Sequence, residues 1–310
     1  MGTGAEKAPV IMRTPDAEYL IRQRVAALRR ALPAAKDGDA KSLHQARVAT
    51  RRLRAALPLF GSGRKAEKVA RCVRRLTRLL GPARELDVSL LILDELEKSH
   101  DVPRAAVDRL RASIADERRR LQEHVRERLD DFDIQKVRKR AIAVARKGVE
   151  QKTPRDVEAV AWTHERTTRR ARRLAAAIEH AAGLYLPDRL HDVRIAIKKL
   201  RYTLELGSVS RDGRTRHAAA IRTLRSMQDL LGRMHDLEVL IARTRSIQSS
   251  PGASTLKMSA DLDRLVRRLE TECRQLHGRY MAARAKLNAA CERLLKAGER
   301  AERARSSDAA

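Results

Sequence analysis

Two stretches of this sequence place a histidine and several bases at the same spacing. The first begins at His44 and the second at His191, 147 residues further along. At about 100° per residue, the histidine and three bases of each copy share a polar arc of roughly 80° on a helix, with leucines opposite. The residues on these arcs are His44, Arg47, Arg51 and Arg54 in the first copy, and His191, Arg194, Lys198, Arg201 and Tyr202 in the second. Because a planar guanidinium donates two parallel hydrogen bonds to phosphate oxygens, the pattern predicts a phosphate-binding face.

The positive charge is concentrated around the first copy. The chain has 310 residues, with 68 Lys and Arg against 40 Asp and Glu, and a net charge of +28. From Ala40 to Arg84 there are 13 bases and one acid, whereas from Asp94 to Asp133 there are 9 bases and 12 acids. A solvated helix face usually mixes acids with bases four residues apart. The acid-free first copy therefore favours an anion-binding face over a solvated one.

A further row of bases precedes Gly81. Its members fall within roughly 80° of one another on a helix; they are Arg64, Lys68, Arg71, Arg75 and Arg78. In the second half only Arg222 keeps its base, because a serine and an aspartate replace the last two. Lys68, Arg71, Arg75, Arg78 and Arg222 are further candidates for the binding site. The divergence predicts that the two halves share a ligand unequally.

A second shared element follows each basic copy. It reads Leu79-Leu80-Gly81 with Glu85-Leu86-Asp87-Val88, and 151 residues later Leu230-Leu231-Gly232 with Asp236-Leu237-Glu238-Val239. Glycine is common at helix ends in the left-handed conformation, so each glycine is expected to end a helix. The acids are expected to be structural, pairing with Arg52, Lys199 or nearby backbone.

The two motif histidines admit several roles. A helical histidine can contact phosphate, bind a metal, accept a phosphoryl group or make a structural hydrogen bond. A metal site favours His or a carboxylate three or four residues away, but Arg47 and Val48 hold those positions beside His44. No phosphate-cradling glycine loop, nucleophile elbow or acidic metal cluster occurs. We therefore expect no cofactor, no metal and no enzymatic activity.

The amino-acid composition indicates which class of ligand the protein binds and where in the cell it is expected. Aromatic residues make up 2% of the chain, whereas proteins that grip single-stranded nucleic acid usually stack bases on aromatic rings. A ligand read through phosphates alone is therefore favoured, with nucleic acid as a weaker alternative partner. The three cysteines, Cys72, Cys273 and Cys291, have no zinc or disulfide spacing. With no apolar run of 18 residues and no signal segment, a cytoplasmic protein without membrane contact is expected.

The residue pattern predicts an all-α fold. Apolar residues recur at intervals of three and four, and no stretch alternates with period two. Breaks are predicted at Pro33, Asp37-Gly38-Asp39, Pro58, Gly61-Ser62-Gly63, Gly81-Pro82, Pro187, Gly232 and Ser249-Ser250-Pro251-Gly252. Thr153-Pro154 marks the midpoint, dividing the chain into halves at 13–152 and 153–300 with flexible tails at 1–12 and 301–310. Each half holds enough amphipathic helices for a four-helix bundle with an appended helix. The oligomeric state is left open.

These motifs resemble those of the CHAD family, the conserved histidine α-helical domain. The resemblance rests on His44-x-x-Arg47-Val48-x-x-Arg51-Arg52-Leu53-Arg54 and Leu80-Gly81-x-x-Arg84-Glu85-Leu86-Asp87-Val88, each with its second-half echo. It spans roughly residues 13–300. It implies two pseudosymmetric four-helix bundles around a basic cleft or pore.

The resemblance also implies a function, namely binding of inorganic polyphosphate and association with polyphosphate granules. The resemblance implies that the family's basic positions carry over to the motif residues named above and to the row from Lys68 to Arg78. The family often accompanies a CYTH triphosphatase domain, but its Glu-x-Glu-x-Lys signature does not occur here. A stand-alone binding module is therefore expected. A nucleic-acid-binding protein is the first alternative, and a phosphate-processing or His-phosphotransfer enzyme the second.

Overall fold

The structure is a computed structural model that describes residues 14–57, 63–99, 101–150, 155–207, 211–250 and 255–308. The regular secondary structure in these ranges is entirely helical, which confirms the predicted all-α class. The helices are α1 (Thr14–Lys36), α2 (Ala40–Ala56), α3 (Arg64–Ser99), α4 (Arg104–Asp130), α5 (Ile134–Glu150), α6 (Arg155–His180), α7 (Pro187–Gly207), α8 (Arg211–Gln248) and α9 (Leu256–Asp308). The predicted breaks at Pro58, Gly61-Ser62, Thr153-Pro154 and Pro251-Gly252 lie outside the described residues.

The turn between α1 and α2 is made by Gly38, not by Pro33. Pro33 lies inside α1, which continues to Lys36. Gly38 has a φ of 95°, a left-handed conformation that glycine adopts without a Cβ clash. Asp39 then caps α2, because its carboxylate accepts a hydrogen bond of 2.7 Å from the Ser42 N–H. This cap sets the start of the helix that carries the first basic copy.

Two predicted helix ends are wrong. Helix α3 runs through Gly81-Pro82, and α8 runs through Gly232. The glycines with a positive φ among the described residues are Gly38 and Gly183, so neither motif glycine adopts the left-handed conformation. Buried side chains on both sides of Gly81, at Leu80 and Ala83, keep that segment helical, so packing overrides the local preference of a Gly-Pro pair.

The hydrophobic core is continuous between the two halves. One buried cluster joins Leu86, Leu93 and Leu110 of α3 and α4 to α6, α7, α8 and α9. Two further clusters lie within the first half, among α1 to α5. Contacts between the halves are made by α3 with α8, α4 with α9, α2 with α7 and α4 with α8. The predicted pseudosymmetry of two separate bundles stays a prediction.

Ion pairs link the halves where the sequence is rich in acids. Arg243 of α8 pairs with Glu117 at 2.5 Å and with Glu85 at 3.5 Å. Arg233, also on α8, pairs with Glu95 of α3 at 2.6 Å. The acids of α3 and α4 therefore serve as partners for bases of the second half. No helix within the described ranges combines the length and apolar character needed to cross a membrane.

Candidate functional site

The two copies of the basic motif face each other. They lie on α2 and α7, which contact one another across the boundary between the halves. The guanidinium carbon of Arg51 is 6.0 Å from the ring centroid of Tyr202, and that of Arg201 is 4.7 Å from the same centroid. The face of an aromatic ring attracts a cation. Tyr202 therefore lies between a base of the first copy and a base of the second.

Five bases from both halves lie within electrostatic reach of one another and are called the central cluster. They are Arg47, Arg51 and Arg84 of the first half, and Arg194 and Lys198 of the second. Burial, followed by the charges of Arg194 and Arg51, lowers the pKa of Lys198 to about 7. Burial and the charge of Arg51 lower the pKa of Arg47 to about 10. Both shifts mean that the protonated cluster is electrostatically unfavourable by itself and would be stabilised by an anion.

Two donors in the central cluster lack partners. The Nε–H groups of Arg51 and Arg194 are buried and donate to no acceptor among the described residues. Leaving a buried donor unpaired costs about 1–3 kcal/mol, and more when the group is charged. A ligand with acceptor oxygens in this space would remove that cost from both halves at once.

Arg47 is held in place by α3. Its Nη1 donates a hydrogen bond of 3.0 Å to the carbonyl of Thr77. A Cβ at Gly81 would lie 3.0 Å from the same Nη1, tighter than almost all real Cβ contacts. Gly81 therefore allows the guanidinium to lie against the helix, which is a different role from the predicted helix end. At Gly232 a Cβ would meet nothing within 4 Å.

The two motif histidines have different surroundings. His191 lies with its ring centroid 4.8 Å from that of His235, and burial lowers the pKa of both residues, that of His235 to about 4. His44 is exposed, and partial burial followed by the charge of Arg84 lowers its pKa. At neutral pH these lowered values favour neutral imidazoles, which can each donate one hydrogen bond. No group of three or more His, Cys, Asp or Glu positioned to hold a metal ion occurs in the part of the chain that the structure describes.

Arg84 and His235 were missed as site residues. Each lies three positions after the glycine of the second shared element. The Arg84 charge acts on Arg47, Arg51 and His44, and the charges of Arg194 and Lys198 act on His235. Their equivalent positions in the two halves could have identified them. A repeated element that follows a binding motif in both halves is expected to contribute side chains to the same binding site.

The acids of the second shared element pair differently from the prediction. Asp87 forms a buried ion pair of 2.7 Å with Arg118, and Glu238 accepts a hydrogen bond of 2.6 Å from the Tyr185 hydroxyl. The remaining two, Glu85 and Asp236, pair with Arg243 at 3.5 Å and with Arg194 at 3.9 Å. The predicted partners Arg52 and Lys199 are exposed instead. Their carbonyls accept hydrogen bonds of 2.6 Å from Arg24 and Arg170, an equivalent contact in the two halves.

The other predicted site residues lie outside the central cluster. Arg201 is buried and pairs with Glu205, and its Nε donates to Gln228 at 3.1 Å. Its charge is therefore already compensated. The exposed candidates are Arg54 on α2, Lys68, Arg71, Arg75 and Arg78 on α3, and Arg222 on α8.

The described residues form an all-helical protein in which two copies of a histidine-containing basic helix meet. A model of the family described as the CHAD domain matches residues 19–245. The chain therefore belongs to the CHAD domain family, as its motifs indicated.

Two solved structures share the fold. The CHAD domain from the plant Ricinus communis is 20% identical with a TM-score of 0.59, and the match covers 92% of this chain and 96% of that one. PptA from Streptomyces chartreusis is 17% identical with a TM-score of 0.52, covering 93% of this chain and 99% of that one. No curated protein matches this chain significantly.

Proposed function

We propose that the protein binds inorganic polyphosphate without processing it, and that it associates with polyphosphate granules. The observation that supports this most strongly is the meeting of both basic copies in the central cluster. A linear chain of phosphates offers acceptor oxygens at regular intervals, so bases from both halves can contact one chain. The unpaired Nε atoms of Arg51 and Arg194 supply one donor from each half.

The charge balance of the central cluster supports a multiply charged ligand. Its five bases have one ion-paired acid among the described residues, Asp236, which lies 3.9 Å from Arg194. Burial raises the pKa of Asp236, opposed first by the charge of Arg194. A single phosphate would leave most of the positive charge uncompensated, whereas successive phosphates of one chain would offset it.

The direct test removes the central cluster. In one variant Arg47, Arg51, Arg194 and Lys198 are all replaced with Gln, and binding of long-chain polyphosphate is measured by calorimetry. The affinity is expected to fall at least about 100-fold, because each charge-assisted hydrogen bond contributes about 1.5–3 kcal/mol. Affinity of the unchanged protein should also fall steeply between about 50 and 200 mM salt, as counterion release requires.

A matched control removes the same charge elsewhere. Arg109, Arg128, Arg267 and Arg279 are exposed on α4 and α9, and their joint replacement with Gln should weaken binding only a few-fold. Exposed charges more than about 8 Å away are largely screened at physiological salt. Equal losses in the two variants would mean that net charge alone drives binding, and no loss in the first would remove the central cluster from the site.

The same assay distinguishes polyphosphate binding from the two alternative functions, nucleic-acid binding and enzymatic phosphate release. Duplex and single-stranded DNA compete with bound polyphosphate at equal phosphate concentration, and polyphosphate is expected to stay bound. Displacement by either DNA would favour a nucleic-acid-binding function. Phosphate release is followed in parallel, and release that is lost in His44→Ala or His191→Ala would make the protein an enzyme.

A further inference from the structure

The surface that leads away from the central cluster differs between the two halves. In the first half, exposed bases continue from α2 onto α3 and are called the first-half row. They are Arg54, Lys68, Arg71, Arg74, Arg75 and Arg78. Partial burial, and then the charges of Arg74 and Arg78, lower the pKa of Arg54. Bases on the two neighbouring helices therefore lie near one another.

The first-half row begins at the central cluster. The guanidinium of Arg47 contacts the Thr77 carbonyl, one residue before Arg78. From there the row follows α3 back to Lys68, a distance of about 15 Å at 1.5 Å per residue. One acid, Glu67, lies beside it, and none of its six bases forms an ion pair with an acid in the described ranges. The row is therefore a charged surface that the described residues leave without a compensating ion pair.

The row also reaches α5. Cys72 is half-buried on α3, and burial raises the pKa of its thiol while the charges of Arg75 and Arg140 oppose the rise. Arg140 is exposed on α5, which packs against α3. The Cys72 thiol therefore lies within electrostatic reach of a base of the row and of a base of the neighbouring α5.

The equivalent surface of the second half keeps one exposed base, Arg222, and is otherwise largely neutralised. Glu205 pairs with Arg201, the equivalent of Arg54, and lies 3.8 Å from Arg225, the equivalent of Arg74. The positions of Arg75 and Arg78 hold Ser226 and Asp229, and the position of Lys68 holds Ala219. A polyanion leaving the central cluster on this side would meet carboxylates.

We infer that a phosphate chain leaves the central cluster on one side only, along the first-half row as far as Cys72 and Arg140. This inference rests on the proposed function and adds chain-length selectivity to it. A short polyphosphate fills the central cluster alone. A longer chain gains the row as well, so the row residues determine how strongly the protein prefers long chains.

Cys72 offers a site-specific readout. Cys273 and Cys291 are buried, each with 1% of its surface exposed, so Cys72 is the accessible cysteine of the three. Its alkylation by iodoacetamide at fixed pH is followed by mass spectrometry, alone, with saturating tripolyphosphate, and with saturating polyphosphate of about 100 units. The long chain should slow the alkylation several-fold by covering the thiol, whereas tripolyphosphate should have a much smaller effect.

A row variant tests the same inference by affinity. Arg71, Arg75 and Arg78 are replaced together with Gln, and three exposed bases on other helices, Arg109, Arg128 and Arg267, are replaced in the control. The row variant should lose at least about ten times more affinity for the long chain than for tripolyphosphate, since three charge-assisted contacts are lost in one case only. The control should lose little for either ligand.

The outcomes separate this inference from the proposed function. If neither polyphosphate binds the unchanged protein, the proposed function fails. If both bind, but Cys72 reacts equally fast with either bound and the row variant loses affinity equally for both, the one-sided path is wrong while the proposed function stands. If Cys72 is protected by tripolyphosphate as strongly as by the long chain, the short ligand lies on the row and the inference is again wrong.

Discussion

Arg51 and Lys198 occupy the same position in the two copies of the basic motif, 147 residues apart, yet they carry charge differently. An arginine stays protonated in proteins, whereas burial and neighbouring bases lower the pKa of Lys198 to about 7. One copy therefore presents a permanent charge and the other a charge that depends on pH and on the ligand. The substitution of lysine for arginine makes the duplicated site unequal at its centre.

Arg47 and Arg194 are also equivalent residues of the two copies, and only the one in the second copy has an acidic partner among the described residues. Arg47 donates to a backbone carbonyl, that of Thr77, whereas Arg194 pairs with the carboxylate of Asp236. Further out, Arg54 is exposed and Arg201 is compensated by Glu205. The second copy is thus partly neutralised by its own acids, while the first keeps its full positive charge.

The largest expected effect concerns the pH dependence of affinity. An anion at the central cluster raises the pKa of Lys198, so binding takes up a proton whenever the pH lies above about 7. Below that pH the lysine is already protonated and makes no further difference. Affinity for polyphosphate, measured by calorimetry from pH 6 to 9, should therefore decline above pH 7 by up to about tenfold per pH unit.

Two variants test whether Lys198 causes this decline in affinity above pH 7. Lys198→Arg should bind with a flat profile across this range, and Arg51→Lys should steepen the decline by adding a second titrating amine to the buried cluster. The nearby histidines are not expected to contribute above pH 7, since burial lowers the pKa of His44, His191 and His235. The other titratable group beside Lys198 is Asp236, whose carboxyl pKa is raised by burial. A decline that persists unchanged in Lys198→Arg would show that another group takes up the proton.

A smaller effect is expected from restoring charge to the second copy. Glu205→Gln removes the carboxylate that compensates Arg201 and Arg225 while keeping a hydrogen-bond acceptor. Affinity for long-chain polyphosphate should rise about three- to tenfold, and the slope of log affinity against log salt should steepen by about one charge. Glu123→Gln on the exposed surface of α4 is the matched control. An unchanged affinity in Glu205→Gln would mean that Arg201 and Arg225 do not contact the ligand even without the carboxylate.

The sequence predicts the parts of this fold that local chemistry controls. Asp37-Gly38-Asp39 is predicted as a break and forms the turn between α1 and α2, and the periodicity of apolar residues predicts the all-α class, although it divides α3 and α8 at their glycines. The continuity of α3 through Gly81-Pro82 was not predictable, because it depends on the packing of Leu80 and Ala83 against other helices.

For the site, spacing alone predicts which bases share a helix face. The approach of α2 to α7 is a long-range contact that brings the charges of Arg51 and Arg47 to Lys198, where burial and these charges lower its pKa. The pairing of Arg201 with Glu205 is different, because the two residues are four positions apart on α7 and their spacing alone already indicates an ion pair.

The smallest expected effects are those of alanine substitutions at the two motif glycines, Gly81 and Gly232. Alanine in a helix interior is about 0.5–1 kcal/mol more favourable than glycine, and at Gly232 the added Cβ meets nothing within 4 Å. Gly232→Ala should therefore raise the free energy of unfolding by up to about that amount and leave binding unchanged. At Gly81 the Cβ would press on Nη1 of Arg47 at 3.0 Å.

Gly81→Ala should consequently lose the gain in stability and weaken polyphosphate binding by about two- to fivefold, because displacing one guanidinium forfeits part of a charge-assisted contact. Denaturant unfolding and calorimetry on the two variants measure both quantities. Equal behaviour of Gly81→Ala and Gly232→Ala would show that the Arg47 guanidinium moves aside freely. In that case the contact of Arg47 with α3 would not hold the first copy in its binding geometry, and Thr77 would be an incidental acceptor.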